Sequence, residues 1–255
     1  MQSDVSIDIN SDLGESPGAL ASGSDFELMR FISSANIACG GHAGDESTMK
    51  QTLRMARDLG VAVGAHPSYP DRTNFGRIAM SLSGEEIETS VRDQISELAR
   101  LAEEAGLRIA HVKPHGALYH AARERQVAEA IGRAVTNLDP QLVMVGQAGS
   151  AALEHWRAMG LRCAAEAFAD RVYESDGTLR SRNLAGALLD TPNLASEQAL
   201  DIVLRRLVST HDGRHLEITA DSLCIHSDTP NAAEIAREIR QKLTTHGIPI
   251  RRLTS

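Results

Sequence analysis

Short apolar runs, each followed at once by acidic, histidine or lysine residues, recur six times along this 255-residue chain. The six stretches are DINSDLGE, ANIACGGHAGD, GAHPSYPDR, HVKPHGALYH, EAFADR and CIHSDTP. One such ending can arise from ordinary loop composition, whereas six in one chain predict strands whose carboxyl ends converge on a shared polar site. That arrangement is typical of a β/α barrel enzyme, in which the reactive groups lie at the C-terminal rim.

Helical patterns separate these runs, so the fold class is predicted to be α/β. We predict strands at 5–13, 35–39, 61–65, 108–113, 142–145, 163–168 and 222–226, and an edge or closing strand at 248–253. We predict helices at 24–33, 46–59, 83–105, 123–135, 150–159, 196–209 and 232–243. Crossovers of this length indicate a parallel sheet, and about seven repeats favour closure into a barrel. No linker divides the chain, and we expect one domain over 1–255.

Composition limits the kinds of partner that the chain is expected to have. The formal net charge is −8 and basic residues do not cluster, so nucleic-acid binding is not expected. The longest uncharged run, 141–153, is too short for a membrane span, and the N-terminus lacks the pattern of a secretion signal. The cysteines lie in apolar runs and are expected to be reduced and buried, as in a cytoplasmic protein: Cys39, Cys163 and Cys224.

The first predicted strand carries a row of polar residues on one face. Asp8, Asn10 and Asp12 alternate with apolar residues. Because outer helices need an apolar strand face, the polar row is expected to point into the barrel, with Asp12 nearest the rim. The alternative is that Asp12 only caps the turn before Gly14. Glu15 is the weaker candidate, since acidic residues are common in exposed loops.

The fourth predicted strand places His111, Lys113 and His115 on one face. Such groups do not remain in a dry interior unless they are paired. The carboxylates expected to pair with them are Asp12, Glu166 and Asp228. A buried Lys113 beside a carboxylate suits the stabilisation of charge on a carbonyl or phosphoryl oxygen, with a purely structural ion pair as the alternative. His111 lies deepest and is expected to belong to the core.

The other strand ends supply the remaining candidates. His66 ends the third strand, and the glycine-rich loop after the second strand carries His42 and Asp45. Glycine permits close approach of a ligand to the backbone, although both residues can instead be ordinary turn residues. The sixth and seventh strands end in a further group, which consists of Glu166, Asp170, Arg171, His226 and Asp228. Each pair alone can be structural, but the joint pattern indicates a site.

Familiar cofactor motifs are absent from the sequence. There is no GxxxxGK[ST], no GxGxxG after a strand and no GxSxG, which argues against a familiar nucleotide-binding loop and against a nucleophile-elbow hydrolase. A mixed histidine and carboxylate metal site can be assembled from Asp12, His42, His66 and His226. HExxH and CxxC are also absent, so the spacing gives a divalent metal no independent support.

Several longer stretches together resemble the LamB/YcsF family. They are DINSDLGESPG, NIACGGHAGD, GAHPSYPDRTNFGR, VKPHGALY, EAFADRVYESDGTLRSR and IHSDTPNA, and they extend from Asp8 to Ala232. The chain departs from the usual pattern at Ser11, Gly41 and Ser227, where Cys, Phe and Gly are common. The changes at Ser11 and Ser227 remove no polar group of the predicted site.

The resemblance implies a distorted seven-stranded β/α (TIM-like) barrel of the glycoside hydrolase/deacetylase type. It also implies a role in hydrolytic opening of the lactam ring of 5-oxoproline to L-glutamate, coupled to ATP hydrolysis. In that family ATP is a co-substrate used by two partners, 5-oxoprolinase subunits B and C. The lack of a nucleotide-binding motif in this chain agrees with that division of labour.

For that reaction we predict Asp12 as the leading general base and His66 or His226 as the proton carrier. Lys113, with Arg171 in a secondary role, is expected to stabilise phosphoryl and oxyanion charge. The remaining predicted substrate-binding residues, which position the substrate or orient the cations, are Asn10, His42, Asp45, His115, Glu166, Asp170 and Asp228. Two other interpretations stay open: a metal-dependent amide or acetyl hydrolase, and a non-catalytic subunit that binds a lactam or carbohydrate.

Overall fold

A closed barrel of seven parallel strands forms the centre of the structure, a computed structural model that describes residues 5–254. The barrel strands are β1 (Asp8–Leu13), β2 (Ser34–Ala38), β3 (Ala62–His66), β4 (Ile109–Val112), β5 (Val143–Gln147), β6 (Cys163–Phe168) and β9 (Ser222–Cys224). A separate antiparallel pair comprises β7 (Leu207–Ser209) and β8 (His215–Glu217). The prediction of a closed, seven-stranded parallel barrel is confirmed.

Helices connect the strands and cover the barrel. They are α1 (Pro17–Ser22), α2 (Ser24–Met29), α3 (Glu46–Leu59), α4 (Gly84–Glu104), α5 (Gly116–Ala121), α6 (Arg125–Leu138), α7 (Ala151–Ala158), α8 (Pro192–Leu200) and α9 (Ala232–Thr245). The longest, α4, begins at the predicted capping box, in which the Ser83 side chain accepts from the Glu86 N–H and Glu86 accepts from the Ser83 N–H. None of the helices in residues 5–254 is both long and apolar enough to cross a membrane.

The barrel closes through β9, which pairs with both β1 and β6. Ser222 lies beside Asp8 on one side and beside Glu166 on the other. Along β1 the apolar residues Ile9 and Leu13 are fully buried in the main hydrophobic core. The alternating residues Asp8, Asn10 and Asp12 bond instead to polar groups on neighbouring strands, as the strand pattern predicts.

The His111 ring lies in the interior of the barrel, against Asn36 and Gly64. This ring is fully buried, and its Nε2 lies 2.8 Å from Asn36 Oδ1. Burial lowers the pKa of His111 to about 3, so the ring is neutral. A side chain at Gly64 would lie 2.3 Å from the ring, which explains the glycine in β3. His111 therefore has the core position that the sequence predicts.

Two predicted elements are wrong. The helix predicted at 196–209 ends in a π-helical turn over Asp201–Arg205, after which Arg206 has a left-handed φ of 56° and the chain enters β7. In place of a strand at 248–253, Ile250 makes only an isolated bridge to Ile7. The cysteines are free thiols as predicted, but Cys163 is only half-buried.

Candidate active site

A cavity of about 410 Å³ opens at the C-terminal ends of the barrel strands. Asp12, His66 and Lys113 form its base, and Phe168 and His226 form one wall. The volume suits a small-molecule ligand. The structure therefore brings together the four predicted catalytic residues, which come from distant parts of the sequence: Asp12, His66, Lys113 and His226.

Lys113, which follows β4, is the centre of a buried ion cluster. Its Nζ lies 2.9 Å from Asp12 Oδ1, 2.8 Å from Glu166 Oε1 and 3.2 Å from Cys224 Sγ. Burial opposes the charge, but the carboxylates outweigh it and hold the pKa of Lys113 well above its usual value. Burial would likewise raise the pKa of Asp12, but His66 and Lys113 hold it well below the usual range. The cluster therefore holds a charged ammonium group at the cavity base.

Amide side chains inside the barrel orient the carboxylates of this cluster. Asn10 donates to Glu166 Oε1 at 2.9 Å, and Asn36 donates to Asp12 Oδ1 at 2.7 Å and to Asn10 Oδ1 at 2.8 Å. Tyr119 Oη donates to Glu166 Oε2 at 3.0 Å. Asn10 and Glu166, both predicted to bind substrate, thus lie beneath the cavity lining, where they position Lys113.

A second buried cluster surrounds Glu15, in the turn after β1. Glu15 Oε1 lies 2.9 Å from His42 Nε2, 3.2 Å from His115 Nδ1 and 3.7 Å from His66 Nε2. Burial would raise the pKa of Glu15, but its bonds to His115 and His42 hold it well below the usual range. Burial also lowers the pKa of His42 to about 4 despite the contact with Glu15. The predicted residues His42 and His115 therefore belong to one histidine cluster beside the cavity base.

His226 is held against the cavity wall by Asp170. Its Nδ1 lies 3.1 Å from both Asp170 oxygens, and its backbone N–H donates to Asp170 Oδ2 at 3.0 Å. The ring stacks on Phe168 with centroids 5.3 Å apart. Burial would raise the pKa of Asp170, but His226 lowers it. The Asp170 carboxylate is thus buried and ionised, and it orients His226.

Arginines surround the mouth of the cavity. Asp228 Oδ2 accepts from Arg182 at 2.7 Å and from Arg77 at 3.3 Å, so this exposed carboxylate orients two cations at the rim. Arg171 also lines the cavity and donates to the Arg180 carbonyl at 2.6 Å. Of the three carboxylates that the sequence offers as partners, Asp12 and Glu166 pair with Lys113, whereas Asp228 pairs with arginines at the rim.

Asp45 does not join the cavity. It is the N-cap of α3, where Oδ1 accepts from the Thr48 N–H at 2.8 Å, and its side chain is exposed. This position agrees with the alternative that the sequence left open, in which Asp45 is a turn residue. The predicted metal set is also divided, because His42 and His66 lie in the group around Glu15 whereas Asp12 and His226 lie in a group with Cys224.

The sequence model of the LamB/YcsF family matches residues 7–255. The chain belongs to the LamB/YcsF family. It is 50% identical over 248 residues to a Chloroflexus aggregans protein named as the A subunit of 5-oxoprolinase, covering 97% of this chain and 98% of that protein. A Methylococcus capsulatus protein of the same name is 49% identical over 245 residues, covering 96% and 94%.

The solved structure of a lactam utilization protein from Thermus thermophilus has the same fold. It superposes with a TM-score of 0.90 at 43% identity and covers 97% of this chain and 99% of that protein. The barrel and its loops in this LamB/YcsF protein are thus arranged as in a protein whose name refers to lactams.

Several site residues of this LamB/YcsF protein are not predicted from the sequence or are only weak candidates there. The group comprises Glu15, Asn36, Arg77, Tyr119, Phe168, Arg182 and Cys224. Most lie within the quoted motif stretches, but only their position within those stretches marks them. Only one feature of the sequence points to Glu15 as a site residue, namely its position three residues after Asp12.

Proposed function

We propose that this chain is the A subunit of a 5-oxoprolinase and is a hydrolase that opens the lactam ring of 5-oxoproline to give L-glutamate. Relatives at 49% and 50% identity carry that name along almost their whole length. The observation that carries the proposal is the buried, charged Lys113 at the base of a small polar cavity with Asp12 and His226 on either side. Nucleophilic attack on an amide carbon requires groups of this kind.

Charge fixes the orientation in which 5-oxoproline binds. Its carboxylate is repelled by Asp12 and Glu166 at the base and attracted by the arginines at the mouth, chiefly Arg171 and Arg182. The lactam oxygen then points towards Lys113, which donates a charge-assisted hydrogen bond and stabilises the negative charge that develops there. The substrate carboxylate thus anchors a ring whose reactive carbon lies above Asp12.

ATP enters the proposal as a co-substrate. A lactam amide is stabilised by resonance, and transfer of a phosphoryl group to its oxygen makes the carbon more electrophilic. The sequence has no familiar nucleotide-binding loop, so we assign ATP binding to partner subunits B and C. The positive mouth of the cavity suits passage of a phosphorylated, more negative intermediate.

Asp12 and His226 divide the proton transfers. Asp12 Oδ1 is engaged by Lys113 and Asn36, which leaves Oδ2 to accept the proton of an attacking water molecule. The low pKa of Asp12 makes it a weak base, which suffices only against an activated carbon. His226, held by Asp170 on the cavity wall, delivers a proton to the departing ring nitrogen. Breakage of the C–N bond leaves an acyl phosphate, and a second water molecule hydrolyses it to L-glutamate and phosphate.

The decisive experiment measures glutamate released from 5-oxoproline and ATP. It compares this chain alone, candidate B and C subunits alone, and all three together. We expect glutamate only from the complete mixture, and none when Asp12→Asn, an isosteric variant that keeps the fold, replaces the wild-type chain. Absence of ATP-dependent glutamate from the complete mixture of folded subunits would refute the proposal.

A further inference from the structure

The hydrogen bonds of His66 and His115 fix where each ring carries its proton. His66 Nδ1 lies 2.7 Å from the Lys113 carbonyl oxygen, and His115 Nε2 lies 3.0 Å from the Phe75 carbonyl oxygen. A carbonyl oxygen only accepts, so each of these nitrogens must carry the hydrogen. In a neutral imidazole the opposite nitrogen then has a lone pair. When both rings are neutral, His66 Nε2 and His115 Nδ1 are therefore acceptors, and a contact between them needs a proton or another cation.

These two acceptors face each other and two carboxylates. His66 Nε2 and His115 Nδ1 are 3.0 Å apart. Glu15 Oε1 lies 3.2 Å from His115 Nδ1 and 3.7 Å from His66 Nε2, and Asp12 Oδ2 lies 3.5 Å from His66 Nε2. Both rings are buried, with 1% and 6% exposure. Three electron-rich atoms, His66 Nε2, His115 Nδ1 and Glu15 Oε1, thus converge in a desolvated space with Asp12 Oδ2 beside His66, an arrangement that requires a cation among them.

The spacing matches the coordination shell of a small metal ion. Zinc binds imidazole nitrogen at about 2.0–2.1 Å, which places tetrahedral ligand atoms about 3.3 Å apart. The three mutual separations of His66 Nε2, His115 Nδ1 and Glu15 Oε1 are 3.0, 3.2 and 3.7 Å, on both sides of that value. The rings of His66 and His115 are inclined by 85°, so their lone pairs can meet at one point.

Backbone carbonyl groups hold the rings of His66 and His115 as they commonly hold histidines that bind a metal. Histidines that bind metals commonly donate their other N–H to a backbone carbonyl, which fixes the tautomer and the ring orientation. The carbonyl on His115 belongs to Phe75, whose φ of 56° is a left-handed conformation that a phenylalanine rarely adopts. This strained residue presents its oxygen to His115, and so the strain serves the orientation of that ring.

His42 lies in the same cluster but outside the coordination shell. Its ring stacks on His115 with centroids 3.6 Å apart and planes inclined by only 3°. An ion in the plane of His115 therefore lies out of the plane of His42 and off its lone-pair direction. His42 instead approaches Glu15 Oε1 through Nε2 at 2.9 Å, which makes it a positioning residue.

We propose that Glu15, His66 and His115 bind one divalent transition-metal ion, with zinc as the best match to two imidazoles and one carboxylate. Such an ion supplies Lewis acidity beside the base of the cavity. The site goes beyond the proposed function, because metal binding is a property of this chain alone, without 5-oxoproline, ATP or partners. It assigns His66 to the metal and leaves His226 as the proton carrier.

The test uses the full chain without an affinity tag, stripped by a chelator and then titrated with Zn²⁺ or Co²⁺. We expect one tightly bound ion per chain, a higher melting temperature with Zn²⁺, and visible Co²⁺ absorption bands of a nitrogen and oxygen site. Glu15→Gln and His115→Asn should weaken affinity by more than about 100-fold and His42→Asn by about 10-fold. His211→Asn, at an exposed histidine outside the cluster, is the matched control and should bind as wild type does.

Two results would overturn the proposal. One is unchanged stoichiometry and affinity in the Glu15→Gln and His115→Asn variants, which would place the ion elsewhere. The other is a wild-type chain that shows no specific Co²⁺ bands, together with nitrogen NMR signals of a protonated imidazole at His66 or His115, which would make the cation a proton. The second result needs no variant, so it decides the matter even if a ligand variant fails to fold.

Discussion

Replacement of Lys113 by methionine separates the electrostatic role of this residue from its bulk. Methionine keeps most of the side-chain volume but leaves two buried carboxylates, Asp12 and Glu166, without the ammonium group that lies 2.9 and 2.8 Å from them. At an effective dielectric constant of about 20, each of these contacts is worth about 6 kcal/mol before desolvation is subtracted. Removal of one partner of a buried ion pair costs about 3–5 kcal/mol net. We therefore expect Lys113→Met to lose about 3–5 kcal/mol of unfolding free energy, a large share of the stability of a typical domain.

The loss should depend on pH in a defined direction. In the wild type the folded-state pKa of Asp12 is depressed, so its contribution is present at neutral pH and is lost as pH falls through that low pKa. In Lys113→Met the unpaired carboxylates gain raised pKa values, so the folded variant binds protons and becomes more stable as pH falls. Between pH 5 and pH 8 the wild-type contribution of Asp12 is constant, because this window lies above the ordinary pKa of an aspartate. The raised pKa values of the variant alone therefore make the stability difference larger at pH 8 than at pH 5.

The double variant Lys113→Met/Glu166→Gln supplies the control. It removes one of the two uncompensated charges while it keeps the shape, so it should recover at least half of the lost stability in urea unfolding. Glutamate release should stay about 10²–10³-fold below wild type in both variants, because neither has a cation for the developing oxyanion. A Lys113→Met chain as stable as wild type at pH 8, or a double variant no more stable than the single one, would refute the reasoning.

Three further predictions concern carboxylates in different environments. Burial raises the pKa of Asp8 to about 6, so the unfolding free energy of the wild type falls as pH rises from about 4 to 6. Over that range Asp8→Asn should gain up to about 3 kcal/mol relative to wild type. A stability difference in urea unfolding that stays constant with pH would contradict this. Asp170→Asn should reduce glutamate release by about tenfold with an unchanged circular dichroism spectrum, since His226 loses its anchor; wild-type turnover would remove His226 from the scheme. Asp45→Ala should lower unfolding free energy by about 1 kcal/mol through the lost helix cap without changing turnover, and a drop in turnover of the folded variant would return Asp45 to the site.

The elements that could be predicted are those whose signals are local. The capping box at Ser83 and the apolar stripe that follows it place the start of α4 within one residue, because both signals act inside a single turn of helix. The strand Cys163–Phe168 is found with its predicted bounds. Strand alternation is equally local, and for that reason Asp12 and Lys113 could be assigned to the interior of the barrel.

The region after α8 could not be predicted for the opposite reason. Apolar residues at Leu200, Val203, Leu204 and Leu207 have helical spacing, yet the π-helical turn over Asp201–Arg205 shifts the helix face and leaves Leu204 half-exposed. Leu207 then pairs with Glu217 across a hairpin. That pairing depends on contacts distant from the window in which periodicity is measured.

The errors in the site have a similar origin. Glu15 looks like a loop residue in sequence, but the left-handed turn at Gly14, with a φ of 71°, returns the chain so that Glu15 faces three histidines. Asp45 shows the reverse case, since an aspartate directly after a strand can serve either a site or the cap of the next helix. Residue type and position are the same for both roles, and only the direction of the side chain separates them.

The opposite charges at the two ends of the cavity also explain how a negatively charged substrate can enter a site built on carboxylates. Asp12 and Glu166 lie at the base with Lys113 between them, whereas Arg77, Arg171 and Arg182 lie at the mouth. An incoming anion meets the arginines first and cannot turn its carboxylate inward without approaching the buried acids. Under the proposed function, the arginine contacts with the substrate carboxylate are therefore remote from the reacting carbon, and their binding energy serves to orient the lactam.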